Sequence, residues 1–312
     1  MKLIRKLKDF PGSLKGGALT IGNFDGVHRG HASLIERLKL HSDRCGGPAV
    51  VFTFDPHPVR LLRPDQTPPP LTWTNRKADL LSALGVDVVI AYPTDQQLLS
   101  LTYQEFFQQI IVDAIGVSAI VEGPNFFFGK DRQGDVETLA TLCGEKNIAV
   151  EIVQPVKIGG DFISSSRIRK LLASGDVAAA RKLLTRPYRI RGMVVHGAAR
   201  GTKIGFPTAN VDAIDTLVPA EGVYAGRALI DGRAHLAAIN IGPSPTFGEH
   251  ATKVEAHLLD FENSIYGRPI EVDFIERLRD IRQFESKEEL KKCLENDIAD
   301  ARRVGRELTH ES

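Results

Sequence analysis

The chain has 312 residues, which is enough for roughly two domains of ordinary size. Its 42% hydrophobic and 25% charged residues are typical of a soluble globular protein, and its formal net charge of +1 argues against the extended basic surface of a nucleic-acid-binding protein. No apolar run approaches the roughly 20 residues of a membrane span, and the N-terminal MKLIRKLKDFPG lacks the apolar core of a secretory signal.

The cysteines indicate the compartment. Cys45, Cys143 and Cys293 are far apart and form no CxxC pair, which argues against a disulfide framework or a zinc ribbon. We therefore expect a cytoplasmic protein with no membrane or nucleic-acid partner.

The first 185 residues alternate strand-like and helix-like segments. Short apolar runs typical of strands buried on both faces are ALTIGNF, PAVVFTF, VDVVIAY, VSAIVEG and IAVEIV. Amphipathic helical patterns are HASLIERLKLHSD, NRKADLLSALG, YQEFFQQIIVDAIG, SSRIRKLLASG and DVAAARKLL. This alternation predicts a Rossmann-like parallel sheet, with ligands at the carboxyl ends of its strands.

The pattern changes near Arg186 and Pro187. From YRIRGMVVHG to IEVDFIERL, short strands are separated by turns that contain glycine or proline, which is typical of an antiparallel barrel or sandwich. A final helix is predicted over roughly Lys287 to Arg306. The sequence thus predicts an α/β domain over residues 1–185 and a β-rich domain with a terminal helix over 186–312. The proline-rich RPDQTPPPL is predicted to be a surface loop or lid, and the alternative is a polyproline docking ligand.

The stretch LTIGNFDGVHRGHASL places two histidines where a strand becomes a helix. Helix N-termini favour phosphate because their backbone N–H groups are unpaired and the dipole is positive there. His28 and His31 lie three apart on one helix face, and Gly30 would allow a nucleotide close to the backbone. Phosphate handling is the favoured hypothesis, and the alternatives are a metal pair with Asp25 or two histidines without a role.

Two common nucleotide motifs are absent. The chain contains no GxG, so it lacks the Rossmann dinucleotide fingerprint, and it contains no GxxxxGK[ST] loop. A nucleotide would have to be held in another way.

Several motifs in order resemble one family. The string GNFDGVHRGH is similar to the HxGH signature of the nucleotidyltransferase superfamily, in the branch of prokaryotic-type FAD synthetases. Further matches in the first domain are FDPHP at 54–58, LT at 71–72, GPNFFFG at 123–129 and ISSSRIR at 163–169. Matches to a riboflavin kinase module are GFPTANV at 205–211, GVYAG at 222–226, NIGPSPTF at 240–247 and VEAHLLDF at 254–261.

The resemblance to bifunctional riboflavin kinase/FAD synthetases implies a nucleotidyltransferase domain followed by a riboflavin kinase domain. It implies riboflavin, FMN, FAD and ATP as substrates and products, with Mg²⁺ as the cofactor. In the first reaction the FMN phosphate attacks the α-phosphorus of ATP, with His28 and His31 as catalytic residues. Gly22, Asn23, Asp25 and Gly30 would form the ATP-binding turn.

Three further segments of the first domain carry candidate residues. Ser164, Ser165, Arg167 and Arg169 in ISSSRIR are expected to bind ATP phosphates, although serines before a helix are also ordinary N-caps. Asn125 in GPNFFFG matches a flavin-side position of the family, and alternation puts at least one of Phe126, Phe127 and Phe128 in the core. Asp55 and His57 in FDPHP either line the flavin site or belong to a loop built on two prolines.

The second reaction uses PTAN and a strand carboxylate. Thr208 and Asn210 are two apart, so an extended chain projects both to one side, where they can share Mg²⁺. Glu255 faces away from Val254 and Ala256 and matches the family's proposed catalytic base for the riboflavin hydroxyl. Gly201 and Gly205 belong either to a loop over the ATP phosphates or to plain β-turns, and Arg279 resembles a flavin-side residue.

Other functions remain open at this stage. The first domain could transfer a cytidylyl group or adenylylate another phosphate ester. A flavin-delivery protein is a second class, and RNA binding through a β-barrel is a third, without an aromatic-basic string to support it.

Overall fold

The computed structural model describes residues 1–197, 201, 204–244 and 249–311. The chain forms two compact units, of which the first comprises Met1–Pro68 and Trp73–Ser164 and the second Pro69–Thr72 and Ser165–Ser312. The compact units thus divide at Ser164, whereas the sequence pattern changes at 185/186. The two helices between these positions group with the second unit, and the boundary at 185/186 stays a prediction about functional modules.

The first unit is built on a parallel sheet of six strands. The strands are β1 (Lys2–Ile4), β2 (Ala18–Ile21), β3 (Ala49–Phe54), β4 (Val88–Tyr92), β5 (Ala119–Glu122) and β6 (Ala149–Ile152). Their order in the sheet is β1-β4-β3-β2-β5-β6, and every neighbouring pair is parallel. The order reverses between β2 and β5, which is the topological switch point where such sheets bind ligands.

Helices cover the sheet of the first unit. They are α1 (Arg29–Cys45), α2 (Pro58–Leu62), α3 (Thr74–Ala83), α4 (Gln96–Ser100), α5 (Tyr103–Glu105) with a π-helical continuation (Phe106–Ile115), and α6 (Val136–Glu145). Short 3₁₀ turns lie at Leu7–Asp9, Gly12–Leu14, Pro64–Gln66 and Lys130–Arg132, and a small hairpin is formed by β7 (Lys157–Ile158) and β8 (Asp161–Phe162).

Alternate residues of the buried strands face opposite sides of this sheet. Val50 and Phe52 pack in one apolar cluster, and Ala49 and Val51 pack in another. A strand with side chains buried on both faces needs a continuous apolar run, and these strands have one in the sequence.

The second unit is a closed antiparallel barrel. Its strands are β9 (Tyr188–Val195), β10 (Ala209–Asp212), β11 (Gly222–Ile230), β12 (Arg233–Ser244), β13 (Glu249–Leu258) and β14 (Pro269–Arg279), in the order β10-β13-β12-β11-β14-β9. Closure between β9 and β10 removes the sheet edges. Fully buried Tyr224, Ile239 and Phe274 are part of its core.

Helices also belong to the second unit. They are α7 (Ser165–Ala173), α8 (Val177–Leu183) and α9 (Lys287–Glu311). On α9, Ala301 and Val304 pack against Ala225 and Ile275 of the barrel. The terminal helix extends beyond the predicted end at Arg306, because no glycine or proline follows there to stop it. The predicted fold class, a Rossmann-like parallel-sheet domain followed by an antiparallel barrel and a terminal helix, is confirmed.

Candidate functional site

A cleft of about 700 Å³ opens in the first unit, lined by the segments that follow β2 and β5. These strands flank the switch point of the sheet, so the cleft lies where an open parallel sheet is expected to bind its ligand. The sequence-predicted residues on its wall are Gly22, Asn23, His28, Gly30, His31, His57 and Asn125. Asp25, Asp55, Ser164, Ser165, Arg167 and Arg169 are not among the lining residues.

The two histidines cap helix α1 with their own rings. His28 is the N-cap residue, and its Nδ1 accepts a hydrogen bond from the backbone N–H of His31 at 3.2 Å. The Nδ1 of His31 accepts one in return from the backbone N–H of His28 at 3.3 Å. This is a reciprocal capping box made of imidazoles, and it stacks the two rings with centroids 3.7 Å apart.

The capping bonds fix the protonation of both rings. Because each Nδ1 accepts a backbone N–H, each neutral imidazole carries its proton on Nε2. Burial lowers the pKa of His28 to about 4, and burial together with the neighbouring His28 and Lys77 lowers the pKa of His31 well below its ordinary value. Both rings are therefore neutral at pH 7 and present Nε2–H as a donor.

Gly30 is needed to make room for the first histidine. A Cβ at this position would lie 3.2 Å from Cε1 and Nδ1 of His28, which is tighter than ordinary contacts. The glycine between the two histidines thus has a packing reason in addition to the predicted approach of a nucleotide.

A buried lysine, which the sequence analysis missed, holds the turn before α1. Lys77 of α3 is 8% exposed and donates from Nζ to the backbone oxygen of Asn23 at 2.7 Å. Burial lowers the pKa of Lys77, while the negative charge of Asp25 acts in the opposite direction. Asp25 is itself 7% exposed, so it belongs to the buried support of the turn.

Glu122, at the carboxyl end of β5, is a second missed residue. It lines the cleft but is 2% exposed, and its Oε1 accepts hydrogen bonds from the backbone N–H of Ile21 at 2.5 Å and from the Thr20 hydroxyl at 3.4 Å. Burial raises the pKa of its carboxyl well above the ordinary value. Glu122 therefore fastens the end of β2, and its burial favours the neutral form of the carboxyl.

We expect Glu122→Gln to stabilise the protein at pH 8 relative to the wild type. The raised pKa means that the folded state retains a proton that the unfolded state loses, so the stability contributed by Glu122 falls as pH rises above about 4.5. Glutamine keeps the acceptor oxygen and has no charge. The melting temperature of Glu122→Gln should exceed that of the wild type at pH 8 but not at pH 5. The increase should be about 2–4 °C for each kcal/mol of added stability.

The control is Glu122→Ala, which leaves the Ile21 N–H and the Thr20 hydroxyl without this acceptor. It should cost about 1–3 kcal/mol. A Glu122→Gln gain of equal size at both pH values would contradict a neutral buried carboxyl.

The segment after β5 brings Asn125 and one phenylalanine to opposite environments. Asn125 is exposed on the cleft wall. Phe128 is 5% exposed and joins the apolar cluster of the sheet, which confirms that at least one of the three phenylalanines is core. Phe127 is 44% exposed.

The two candidates in FDPHP differ in placement. Asp55 accepts a hydrogen bond from the Thr74 hydroxyl at 2.6 Å and pairs with Arg5 at 3.3 Å, which are contacts of loop structure. His57 lines the cleft and caps α2, because its Nδ1 accepts the backbone N–H of Val59 at 3.1 Å.

The segment ISSSRIR crosses the division between the compact units. Ser164 ends the first unit, and Ser165, Arg167 and Arg169 lie in the first half of α7 in the second. Arg169 donates from Nε to the backbone oxygen of Pro69 at 3.0 Å. The expected role of these residues on ATP phosphates stays a prediction.

In the barrel, the strand register brings three polar residues into one row. Asn210 on β10 lies directly opposite Glu255 on β13, and Glu255 lies opposite Asn240 on β12. Residues opposite each other on antiparallel strands have side chains on one face, with Cβ atoms about 4.5–5.5 Å apart. The strand neighbours of all three are buried, so this half-buried row faces outward. Asn210 and Glu255 are predicted site residues, whereas Asn240 is not.

Glycines lie close to Asn210 of this row and to Thr208 before it. A Cβ on Gly197 would lie 2.2 Å from Nδ2 of Asn210, and a Cβ on Gly201 would lie 3.6 Å from Oγ1 of Thr208. Gly205 has φ of +90°, in the left-handed region that favours glycine. The predicted glycine loop also contains residues 198–200 and 202–203, and the NIGPSPTF motif contains 245–247, all of which lie outside the described residues.

Arg279 has protein partners for its guanidinium. Its Nε and Nη2 bind the carboxylate of Asp297 on α9 at 2.8 and 2.7 Å, and its Nη1 donates to the backbone oxygen of Asp280 at 3.0 Å. Asp297 is 4% exposed. These contacts explain Arg279 as an anchor of α9, and its flavin role stays a prediction.

In the described ranges, no three or more His, Cys, Asp or Glu residues are grouped so that they could hold a metal ion. The alternative that pairs His28 and His31 with Asp25 as metal ligands therefore gains no support. None of the helices in these ranges combines the length and apolar character that crossing a membrane requires.

Comparison with known proteins gives two family matches. The FAD synthetase model matches residues 11–167, and the riboflavin kinase model matches residues 184–305. Three relatives are each named a bifunctional riboflavin kinase/FMN adenylyltransferase. The protein of Pseudomonas fluorescens is 38% identical over 99% of this chain and all of its own, that of Escherichia coli K12 is 38% identical over 97% of both chains, and that of Bacillus subtilis is 36% identical over 91% of this chain and 90% of its own.

A solved structure from Streptococcus pneumoniae is also similar. It is 34% identical, covers 96% of this chain and 98% of its own, and superposes with a TM-score of 0.86. Its title describes a macrolide-efflux protein, a description that the two family models do not share.

Proposed function

The chain belongs to the bifunctional riboflavin kinase/FMN adenylyltransferase family, and from this premise we propose how its residues divide two reactions. The C-terminal module transfers the γ-phosphoryl group of ATP to riboflavin and makes FMN. The N-terminal module transfers the adenylyl group of a second ATP to FMN, which makes FAD and releases pyrophosphate. ATP is the co-substrate of both reactions. We place the enzyme in the cytoplasm because its three cysteines are far apart and form no CxxC pair.

One observation carries the assignment of residues. The predicted adenylyl-transfer histidines and the predicted kinase residues fall in different compact units. The histidines lie within the FAD synthetase match, and the kinase residues lie within the riboflavin kinase match. We assign residues 1–185 to FAD synthesis and 186–312 to riboflavin phosphorylation.

In adenylyl transfer, an oxygen of the FMN phosphate attacks the α-phosphorus of ATP, and the bond to the bridging oxygen of pyrophosphate breaks. No group of the protein needs to become covalently modified, so catalysis rests on positioning and on stabilising charge. His28 and His31 donate from Nε2 to the ATP phosphates as negative charge builds. Their Nδ1 atoms hold the rings in place, so little reorganisation is needed during transfer.

The ATP and flavin sides of the first site follow the two strands at the switch point. Gly22, Asn23, Asp25 and Gly30 form the turn that presents the α1 N-terminus to ATP, with Lys77 and Glu122 fixing that turn from beneath. Asn125 lies on the flavin side. Roles of Asp55 toward flavin and of Ser164, Ser165, Arg167 and Arg169 toward ATP remain part of the proposal.

In the kinase module, Glu255 accepts the proton of the riboflavin 5′-hydroxyl as that oxygen attacks the γ-phosphorus of ATP. The leaving group is ADP. The outward row of Asn210, Glu255 and Asn240 supports this role, because Glu255 lies directly opposite Asn210, a predicted Mg²⁺ ligand.

Mg²⁺ fits the donors of Thr208 and Asn210. Thr208 offers a hydroxyl and Asn210 an amide oxygen, which are hard oxygen ligands suited to an ion that also keeps waters and ATP phosphates. When bound, the ion would neutralise phosphate charge. Gly201 and Gly205 lie in the loop proposed to cover those phosphates, and Arg279 is the proposed flavin-side residue.

The test is incubation of the protein with riboflavin, ATP and Mg²⁺, followed by chromatography. FMN should appear first and FAD should follow. With no flavin product, the proposal fails, and FMN without FAD would refute the assignment of the first module.

A further inference from the structure

The cleft of the first unit has a charge imbalance. Its proposed ligands are ATP and FMN, which are both polyanionic, whereas the two histidines on its wall are neutral. Among the described residues that line the cleft, Arg132 is the only lysine or arginine. The Arg132 side chain is exposed. Among the residues that the structure describes, no carboxylate lies within ion-pair distance of its guanidinium.

The loop that carries Arg132 is firmly anchored. Phe128 and Gly134 exchange backbone hydrogen bonds of 2.9 and 3.0 Å, which close the loop at its base. Lys130 donates its N–H to the backbone oxygen of Leu101 at 2.7 Å. Gly129, with φ of +75°, packs so closely that a Cβ would lie 2.5 Å from the backbone nitrogen of Tyr103.

Two residues of this loop adopt a backbone conformation that is uncommon for residues other than glycine. Asp131 and Arg132 have φ of 53° and 58°, so two consecutive non-glycine residues are in the left-handed region. Such strain persists only where the surroundings enforce it, and it concentrates at ligand-binding sites.

The guanidinium is positioned by an aromatic face. Its Cζ lies 4.4 Å from the ring centroid of Phe127, which is itself on the cleft wall. Stacking on a ring restricts the plane of a guanidinium and leaves its N–H edge available to an oxyanion. Phe127 and Arg132 together form a pre-positioned anion-binding pair.

We propose that Arg132 binds the phosphate monoester of the flavin nucleotide and thereby selects FMN over riboflavin at the adenylyl-transfer site. The inference rests on the proposed function of that site. Riboflavin is a substrate of the other module and differs from FMN only in lacking the phosphate, so it is the natural competitor in this cleft. FMN gains a charge-assisted hydrogen bond between its phosphate and the guanidinium that riboflavin cannot form, so FMN binds more tightly at this site.

The location favours the flavin phosphate over the ATP phosphates. Arg132 belongs to the segment after β5 that also carries Asn125, the proposed flavin-side residue. The ATP phosphates are assigned to the α1 N-terminus and its two Nε2–H donors, which follow β2. Arg132 thus follows the strand on the opposite side of the switch point from the α1 N-terminus that is proposed to bind ATP.

The test compares steady-state FAD synthesis by the full-length protein and its Arg132→Ala variant, varying FMN and ATP separately. We expect KM for FMN to rise about tenfold or more, since a charged hydrogen-bonding group is removed, with KM for ATP unchanged. The inhibition constant of riboflavin in FAD synthesis should fall relative to KM for FMN. Arg132→Lys, which retains charge without the fork, should fall between the two.

Lys130→Ala is the matched control. Lys130 is an exposed cation of the same loop, but it does not line the cleft. It should leave both KM values unchanged, and riboflavin kinase activity should be unchanged in every variant. If the wild type makes FAD and Arg132→Ala keeps its KM for FMN, or raises only KM for ATP, this inference alone is overturned. If the wild type makes no FAD from FMN and ATP, the proposed function fails and this inference with it.

Discussion

Replacing Glu255 with alanine should abolish FMN formation and leave FAD formation from supplied FMN intact. The carboxylate is the proposed acceptor of the riboflavin hydroxyl proton, and removal of a general base lowers kcat by about 10²–10⁴-fold. The His28–His31 site lies in the other compact unit and retains all of its groups. Separate assays with riboflavin and with FMN as the only flavin would measure the two rates.

Glu255→Gln is the matched variant, since it keeps the size and an acceptor oxygen but is far too weak a base to take the proton. We expect the same loss of kinase activity with less effect on stability than alanine, because the residue is half-buried on the outer face of the barrel. Loss of both activities in either variant would refute the separation of the two reactions. An Asn240→Ala variant with reduced kinase rate would support the row of three polar residues as the working site.

Substitution of His28 should have the reverse effect, and here the chain offers a variant that separates capping from catalysis. Alanine removes both the Nε2–H donor and the N-cap, and the lost cap alone costs about 1 kcal/mol. Asparagine is among the best N-cap residues, so His28→Asn keeps the cap and loses the imidazole Nε2–H. We expect it to lower FAD synthesis by about 10²–10³-fold, as when one charge-stabilising donor is deleted, with FMN formation unchanged.

His31→Gln completes this test at the other ring. A glutamine three residues after the N-cap can reach back to its N–H, as His31 does, so the helix start is retained. Both conservative variants should melt near the wild-type temperature. Undiminished FAD synthesis in His28→Asn would overturn the phosphate role of the imidazole.

The sequence predicts the fold well because its strongest patterns coincide with burial. Strands buried on both faces have continuous apolar runs, and the helices between them have one apolar side. The short β1 was missed because it has only three residues, and the hairpin of β7 and β8 because each strand has only two. Such segments are held by their neighbours and have no periodicity of their own.

The candidate site is predicted less completely, for reasons that depend on three-dimensional packing. Lys77 reads as the polar side of an amphipathic helix, yet it is buried and bonded to the turn that presents the histidines. Glu122 ends a buried strand. An acidic residue in that position is a signal that the sequence contains, whereas its protonation depends on burial and cannot be read from the sequence. The pairing of Asn240 with Glu255 depends on strand register, which the sequence of separate strands does not specify.

Two predicted residues have structural partners that sequence spacing does not reveal. Asp55 is bonded to Thr74, and Arg279 is bonded to Asp297 on a helix that follows it along the chain. An arginine or aspartate in a motif can serve the fold or a ligand, and only the positions of distant residues distinguish the two.

The central claim is that one chain uses two ATP molecules at two sites. At each site an oxygen of the flavin substrate attacks a different phosphorus atom of ATP. Its most direct test supplies riboflavin with ATP that carries ³²P either in the γ or in the α position. The γ label should appear in FMN and remain in FAD, and the α label should appear in FAD only. Label from the α position in FMN, or its absence from FAD when FAD is formed, would contradict the account.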